Sequence, residues 1–292
     1  MAFLKTLKPP YVLKADGLAA GKGVLILSDI VEAEKELGQM FSGKFGAAGN
    51  KVVIEEFLSG VEVSFFVLTD GKEYLLLPEA KDYKRIGDND QGLNTGGMGA
   101  VSPVPFANDE FVQKVKTRIV EPTIAGLRAE GIDYRGFIFI GLMNCGGDPF
   151  VIEYNVRMGD PETEVVLPRI KGDLLSDLAA AAKGNLAGES FEVYDKSAMT
   201  VIMVSGGYPE NYAKGYEITG LDNVDSDIIV FNSGTKLSDD KLVTSGGRVL
   251  AVTTLGESLV STREHIYDNL KKISFKDSYN RSDIGLDMIH YK

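Results

Sequence analysis

The stretch "GFIFIGLMNCGGDPFVIEYNV", residues 136–156, constrains the fold more than any other. An almost wholly apolar strand runs into a Gly-Gly-Asp turn, and a second strand follows at once, which reads as a buried β-hairpin. "VEVSFFVLTDGKEYLLLPEA", residues 61–80, gives two alternating strands joined by Asp70-Gly71, a second hairpin. "GNKVVIEEFL" adds a strand over Val52–Phe57. Between these lie helical periods: residues 30–41 with Asp29 as N-cap, a helix capped near Asn108 that Pro122 kinks or divides, and one from Asp173 to about Gly184. Asp160-Pro161 reads as the N-cap and first residue of a further helix. From about residue 195 the character changes, and "SAMTVIMVSGGYP" with "KLVTSGGRVLAVTTLGESL" suggests a separate α+β unit. Residues 81–104 are polar, Gly-rich and without periodicity, which reads as a long functional or disordered loop.

A length of 292 residues suggests roughly two domains. No apolar stretch approaches the roughly 20 residues of a membrane span, and the N-terminus has no signal-type apolar region. A soluble cytoplasmic protein without a membrane partner is expected. Cys145 is the single cysteine, so an internal disulfide framework is excluded. With only His265 and His290, a zinc site built on histidine is a poor fit, and a carboxylate-bound metal such as magnesium is the expectation. The net charge of −11 repels nucleic acid, so any phosphate must be bound locally, in a pocket.

Three clusters carry chemistry. On the strand Phe150–Arg157, alternation places Phe150, Ile152, Tyr154 and Val156 on a core face. Val151, Glu153, Asn155 and Arg157 take the other face. Glu153 and Asn155 offer oxygens suited to magnesium, and Arg157 suits a transferring phosphoryl group; the bland alternative is a solvated face of an edge strand. In "EEFLSGVEVS", Glu55, Glu56 and Glu62 flank a turn that can meet a nucleotide, or they are solvated strand ends. In "GLNTGGMGA", Gly96-Gly97-x-Gly99 can form a nest of amides for an anion, with Asn94 and Thr95 as side-chain donors, or a flexible linker. Asp82, Lys84 and Arg85 just before it read by default as a surface charge run. The segment "KADGLAAGKGV", residues 14–24, is glycine-rich and basic, which suits a phosphate-covering loop or an ordinary hairpin turn. It is not a Walker A loop, because Gly23 follows Lys22 where Ser or Thr would be needed.

Taken in order, "KADGLAAGKGV", "EEFLSGVEVS", "DYKR", "GLNTGGMGAVSP", "VIEYNVRMGDPETE", "GGYP", "GTKL", "GGRVLAVT" and "RSDIG" resemble the glycinamide ribonucleotide synthetases of the ATP-grasp superfamily. The resemblance runs from residue 9 almost to the end. It implies an α+β ATP-grasp fold: a small lid subdomain (1–58), a larger central mixed-sheet subdomain (59–192) and a small α+β C-terminal domain (193–292). It implies ATP as co-substrate, magnesium (manganese as the alternative ion), and glycine and 5-phosphoribosylamine as substrates of a monomer. Glycine would be activated as glycyl phosphate and captured by the amine, giving glycinamide ribonucleotide, ADP and phosphate. Lys14, Gly21, Lys22, Gly23, Glu55, Glu56, Leu58 and Glu62 would bind ATP, and Glu153 and Asn155 the metal. Lys84, Arg85, Asn94, Thr95, Gly96, Gly97, Met98, Gly99 and Asp160 would bind substrate, with Arg157 and Asp160 placing the acyl phosphate.

Two departures stand out. Leu93 replaces the family's usual proline. The lid begins within a dozen residues of Met1, where the family has a preceding domain that shares in the substrate site. A fragment that binds ATP with magnesium but ligates poorly is therefore expected. Another carboxylate–amine ATP-grasp ligase and a non-catalytic nucleotide-binding fragment are the alternatives.

Overall fold

The computed structural model describes residues 1–17, 19 and 23–291. The chain divides into two compact units, Met1–Ser59 and Gly60–Lys292.

The first unit holds β1 (Tyr11–Ala15), β2 (Val24–Leu27), α1 (Ile30–Gln39) and β3 (Val52–Glu55). Its strands form an antiparallel sheet in the order β2-β1-β3. Tyr11 and Leu13 alternate onto one face and pack with Leu4 and with Ala33, Leu37 and Met40 of the helical segment. The cap at Asp29 is as the sequence predicts: its carboxylate accepts from the Glu32 amide at 2.9 Å. The strand ends at Glu55, short of the expected Phe57.

The second unit opens with β4 (Val61–Thr69), β5 (Tyr74–Leu76), β6 (Lys81–Asp82), β7 (Arg85–Gly87), β8 (Gln91–Asn94) and β9 (Gly99–Ser102). Helices α2 (Asp109–Val115) and α3 (Glu121–Ala129) follow, joined by a π turn at Lys116–Val120. Pro122 sits in the first turn of α3, directly after the π turn. Next come β10 (Gly136–Cys145), β11 (Asp148–Asn155), α4 (Thr163–Val166), β12 (Ile170–Lys171), α5 (Leu174–Lys183) and β13 (Glu192–Val193). The unit closes with β14 (Ser197–Val204), β15 (Ile229–Asn232), β16 (Thr235–Ser238), β17 (Lys241–Thr244), β18 (Arg248–Gly256), α6 (Leu259–Leu270) and α7 (Leu286–Ile289).

Two antiparallel sheets dominate it, β11-β10-β4-β5 and β15-β18-β14-β9-β6. Their apolar faces share one core: Val63, Phe65, Ile138 and Ile140 from the first, Val101, Met199, Val201 and Val252 from the second. Phe111 and Val115 of α2 and Ile266 and Leu270 of α6 close it.

Three expectations change here. Residues 81–104 are not one loop: β9 is fully buried between β14 and β6, and β7 and β8 form a small hairpin. Gly-Ala-Val-Ser is too short and too small to show a strand period. The boundary expected at 192/193 does not separate two compact bodies, because β14 and β18 pair into the sheet that holds β9 and β6. Asp160-Pro161 does not open a helix: α4 starts at Thr163 with Glu162 at its N-cap.

Candidate functional site

Strand β11 is an edge strand, not half of a buried hairpin. Its register explains what it presents. Gly141 of β10 pairs with Glu153 and Leu142 pairs with Val151, so Ile152 is an inserted residue. The bulge reverses the alternation on one side of it. Phe150 therefore joins the face of Glu153 and Asn155, while Val151 turns to the core. Phe150, Tyr154 and Val156, expected in the core, are exposed.

On the opposite edge of Gly141 stands Ser64 of β4. Glu153, Gly141 and Ser64 thus form one row, and Gly141 contributes no side chain between the other two. A Cβ at Gly141 would lie 3.3 Å from Glu153 Cγ. Glu62 lies two residues from Ser64 on the same face. Asn155 Nδ2 donates to Glu153 Oε1 at 3.2 Å, so the two side chains are adjacent. They fit a magnesium ion as a partial set of hard oxygen donors, exposed enough for water and phosphate to complete the shell. Among the described residues, no group of three or more His, Cys, Asp or Glu could hold a metal.

Beside this row lies a cluster of charges. Lys84 Nζ binds Glu62 Oε2. Burial works against the Lys84 charge, but Asp82 and Glu62 outweigh it and hold the ammonium above its usual range. Burial raises Asp82, against the pull of Lys84. Glu162, 3% exposed, accepts from Ser64 Oγ at 3.0 Å. Burial first and Asp82 second push its carboxyl up to about 7. The run Asp82–Arg85 leaves the surface at Asp82, which is half-buried, while Lys84 and Arg85 are exposed.

A second group centres on Arg248, at the start of β18. Its guanidinium donates to the Gly96 carbonyl at 2.8 Å, the Asp160 carbonyl at 3.1 Å and Asp160 Oδ2 at 2.8 Å. It ties the glycine loop to the turn after β11. Gly97 lies so close to that turn that a Cβ would meet Pro161 Cδ at 2.3 Å, and its φ is +117°. The loop is not an anion nest. The amides of Thr95, Gly96, Gly97 and Met98 donate to the Lys84 carbonyl, the Tyr208 hydroxyl, Thr95 Oγ1 and the Tyr83 carbonyl. Met98 is fully buried with Ile202, Val204 and Ala251, and Gly99 begins the buried strand β9, so neither lines a surface that a ligand reaches. Arg85 is engaged with the Gly92 carbonyl at 2.8 Å, and Asn94 is exposed at the end of β8. Arg157 donates to the Met158 carbonyl at 3.0 Å and lies over the Phe139 ring.

In the first unit, Lys14 Nζ and Glu55 Oε2 pair at 2.5 Å. They share a sheet face with Val24, Ile26 and Val53, all exposed. Glu56 is exposed, Leu58 half-buried, and both lie in irregular backbone after β3. Gly23 accepts from the Ala15 amide at 2.8 Å and closes the base of the β1–β2 connection. Gly21 and Lys22 lie outside the described residues.

Comparison with known families decides the relationship. Residues 1–163 match the model of the phosphoribosylglycinamide synthetase ATP-grasp (A) domain, and residues 198–287 that of the phosphoribosylglycinamide synthetase C domain. The chain belongs to the phosphoribosylglycinamide synthetase family. Among its relatives, the phosphoribosylamine–glycine ligase of Chlorobaculum tepidum is 47% identical over 289 residues, covering 97% of this chain and 68% of that protein. The Escherichia coli ligase is 46% identical, covering 98% and 67%. The crystal structure of the Thermotoga maritima ligase superposes with a TM-score of 0.85 at 38% identity, covering 97% of this chain and 70% of that one. The biotin carboxylase domain of Hydrogenobacter thermophilus 2-oxoglutarate carboxylase, solved with MgADP, shares the fold at TM-score 0.67 and 16% identity, covering 99% and 63%. The fold is ATP-grasp, with mixed helix and sheet. Among the described residues no helix is long and apolar enough to cross a membrane.

Tyr208 and Arg248 contact candidate site residues, Ser64 and Glu162 pair within the charge cluster around Lys84, and none of the four was singled out from the sequence. All four stand inside the motifs that carry the family resemblance. For Arg248, a charged residue between a glycine pair and an apolar run was the available signal.

Proposed function

We propose that this chain performs the ATP-dependent ligation of glycine to 5-phosphoribosylamine. The Glu153–Gly141–Ser64 row carries the reading, because it places Glu153, with Asn155 two residues on, on the same sheet face as Glu62, the partner of Lys84. Family membership supports the substrates. Magnesium, when bound, would neutralise nucleotide phosphate charge, and Glu153 and Asn155 would hold it. Lys14 and Glu55 would serve the nucleotide in the first unit, together with Gly21, Lys22, Gly23, Glu56 and Leu58; Glu62 would serve its ribose. Lys84, Arg85, Asn94, Thr95, Gly96 and Gly97 would shape the substrate side. Arg157 would face the acyl phosphate. Asp160 would be held in place by Arg248. Both nucleophiles belong to substrates, so the protein's part is positioning and charge compensation.

Two measurements test this. Magnesium-dependent binding of an ATP analogue is followed by calorimetry, and glycinamide ribonucleotide formation by product assay. Glu153→Ala with Asn155→Ala is expected to weaken magnesium-dependent nucleotide binding at least tenfold, with the fold kept. Unchanged affinity in the double variant would overturn the metal assignment. ADP release driven by another acid and not by glycine would overturn the substrate assignment.

A further inference from the structure

Residues 281–285, Arg-Ser-Asp-Ile-Gly, are remote in sequence from residues 85–94, yet the fold seats them against the β7–β8 hairpin. Arg281 is 1% exposed, and its guanidinium is committed on every side. Nε and Nη2 donate to Asp283 Oδ1 and Oδ2 at 2.8 and 2.7 Å, a bidentate pair. Nη1 reaches across to Asp90 Oδ1 at 2.8 Å and to the Arg85 carbonyl at 3.2 Å.

The next two residues continue the grip. The Ser282 amide donates to Asp88 Oδ1 at 2.8 Å, and its hydroxyl to Asp88 Oδ2. Asp283 Oδ2 accepts from the Asn89 amide at 2.7 Å. Three consecutive residues thus hold three consecutive residues of the hairpin turn. The turn needs holding: Asn89 and Asp90 have φ of +56° and +53°, a conformation that persists only where its surroundings fix it. The hairpin's own pairing is thin, two residue pairs with a shift between them, and β8 is exposed throughout.

The hairpin ends at Lys84 and Thr95, which are joined by the Thr95 amide and hydroxyl donating to the Lys84 carbonyl at 2.7 and 2.9 Å. Where the hairpin lies therefore sets the backbone that carries Lys84 toward Glu62 and Thr95–Gly97 toward the Asp160 turn. We infer that Arg281 is a positioning residue for the ligation, acting through Asp90 and the Arg85 carbonyl to fix the hairpin whose base forms the substrate side of the site. This rests on the function proposed above. Of the nucleotide residues, only Glu62 touches the hairpin base, through Lys84, and the others lie on different elements, so the effect should fall chiefly on the acceptor substrates.

The test compares wild type with Asp90→Ala, Asp90→Asn and Arg281→Lys. Asp90 is a largely exposed partner, so its variants leave the buried guanidinium in place. Hydrogen exchange over residues 85–94, affinity for a magnesium–ATP analogue, melting temperature and kcat/KM for glycine and phosphoribosylamine are measured on each. Asp90→Ala is expected to speed exchange in the hairpin at least fivefold and lower kcat/KM at least tenfold. Analogue affinity should stay within twofold. Asp90→Asn, which keeps the acceptor oxygen, should recover most of the loss, and Arg281→Lys should resemble Asp90→Ala. Faster exchange with kcat/KM within twofold of wild type would overturn the inference, as would nucleotide affinity and melting temperature falling in step with activity. Wild-type protein that forms no product from glycine and phosphoribosylamine would overturn the proposed function, and the inference with it.

Discussion

At the scale of single residues, Glu162 sets a pH dependence. Its carboxyl sits at about 7 in the fold, against an ordinary 4.5, because burial and Asp82 disfavour its charge. The folded value is raised, so the fold binds the proton more tightly than the unfolded chain does. The contribution to stability is fully present below about 4.5 and is lost as pH rises through about 7. Glu162→Gln keeps an acceptor for the Ser64 hydroxyl and carries no charge. It is expected to flatten this part of the stability profile and to stabilise the second unit at pH 8 by roughly 2–3 kcal/mol. Chemical denaturation at pH 4.5 and pH 8 checks it. An equal effect at both values, or none at pH 8, would contradict the assignment. Gly97 makes the opposite case: any side chain there strikes Pro161, so Gly97→Ala must displace the turn that carries Asp160.

At the scale of elements, the sequence was informative wherever chemistry is local. The caps at Asp29, Asn108 and Asp173, the left-handed stop at Gly184 and the hairpin at Asp70-Gly71 are all short-range hydrogen-bonding events, and all are present. The placement of β9 was illegible because its strand character comes from neighbours far away in the chain. So was the bulge at Ile152, since no residue type marks it and only pairing with Gly141 and Leu142 reveals it. The pairing of Arg248 with Asp160 needed the fold, because 88 residues separate them. Gly141 tests whether the row matters as a unit. A methyl there would lie 3.3 Å from Glu153 Cγ, tight enough that the side chain must shift. Gly141→Ala is expected to weaken magnesium-dependent nucleotide binding several-fold while lowering the melting temperature only a few degrees. Calorimetric titration with and without magnesium separates this from general damage, which would reduce both equally.

At the scale of the whole molecule, the distribution of cores predicts how the chain unfolds. The cluster around Leu13 lies entirely within Met1–Ser59, and the three others lie entirely within Gly60–Lys292. A unit of about 60 residues buries a smaller fraction of its surface than one of about 230, and is the less stable of the two. Heating is therefore expected to give two transitions, the first belonging to the smaller unit. Conservative trimming assigns them. Ile54→Val removes one methyl group packed on the first core. At a cost of about 1 kcal/mol it should lower the first transition by roughly 4–8 °C and leave the second unmoved. Ile140→Val, at a position 1% exposed in the second core, should do the converse, with a shift of roughly 2–4 °C on the upper transition. Scanning calorimetry on the two variants decides the matter, because a single transition lowered by both substitutions would mean that the chain unfolds as one cooperative body despite its separate cores.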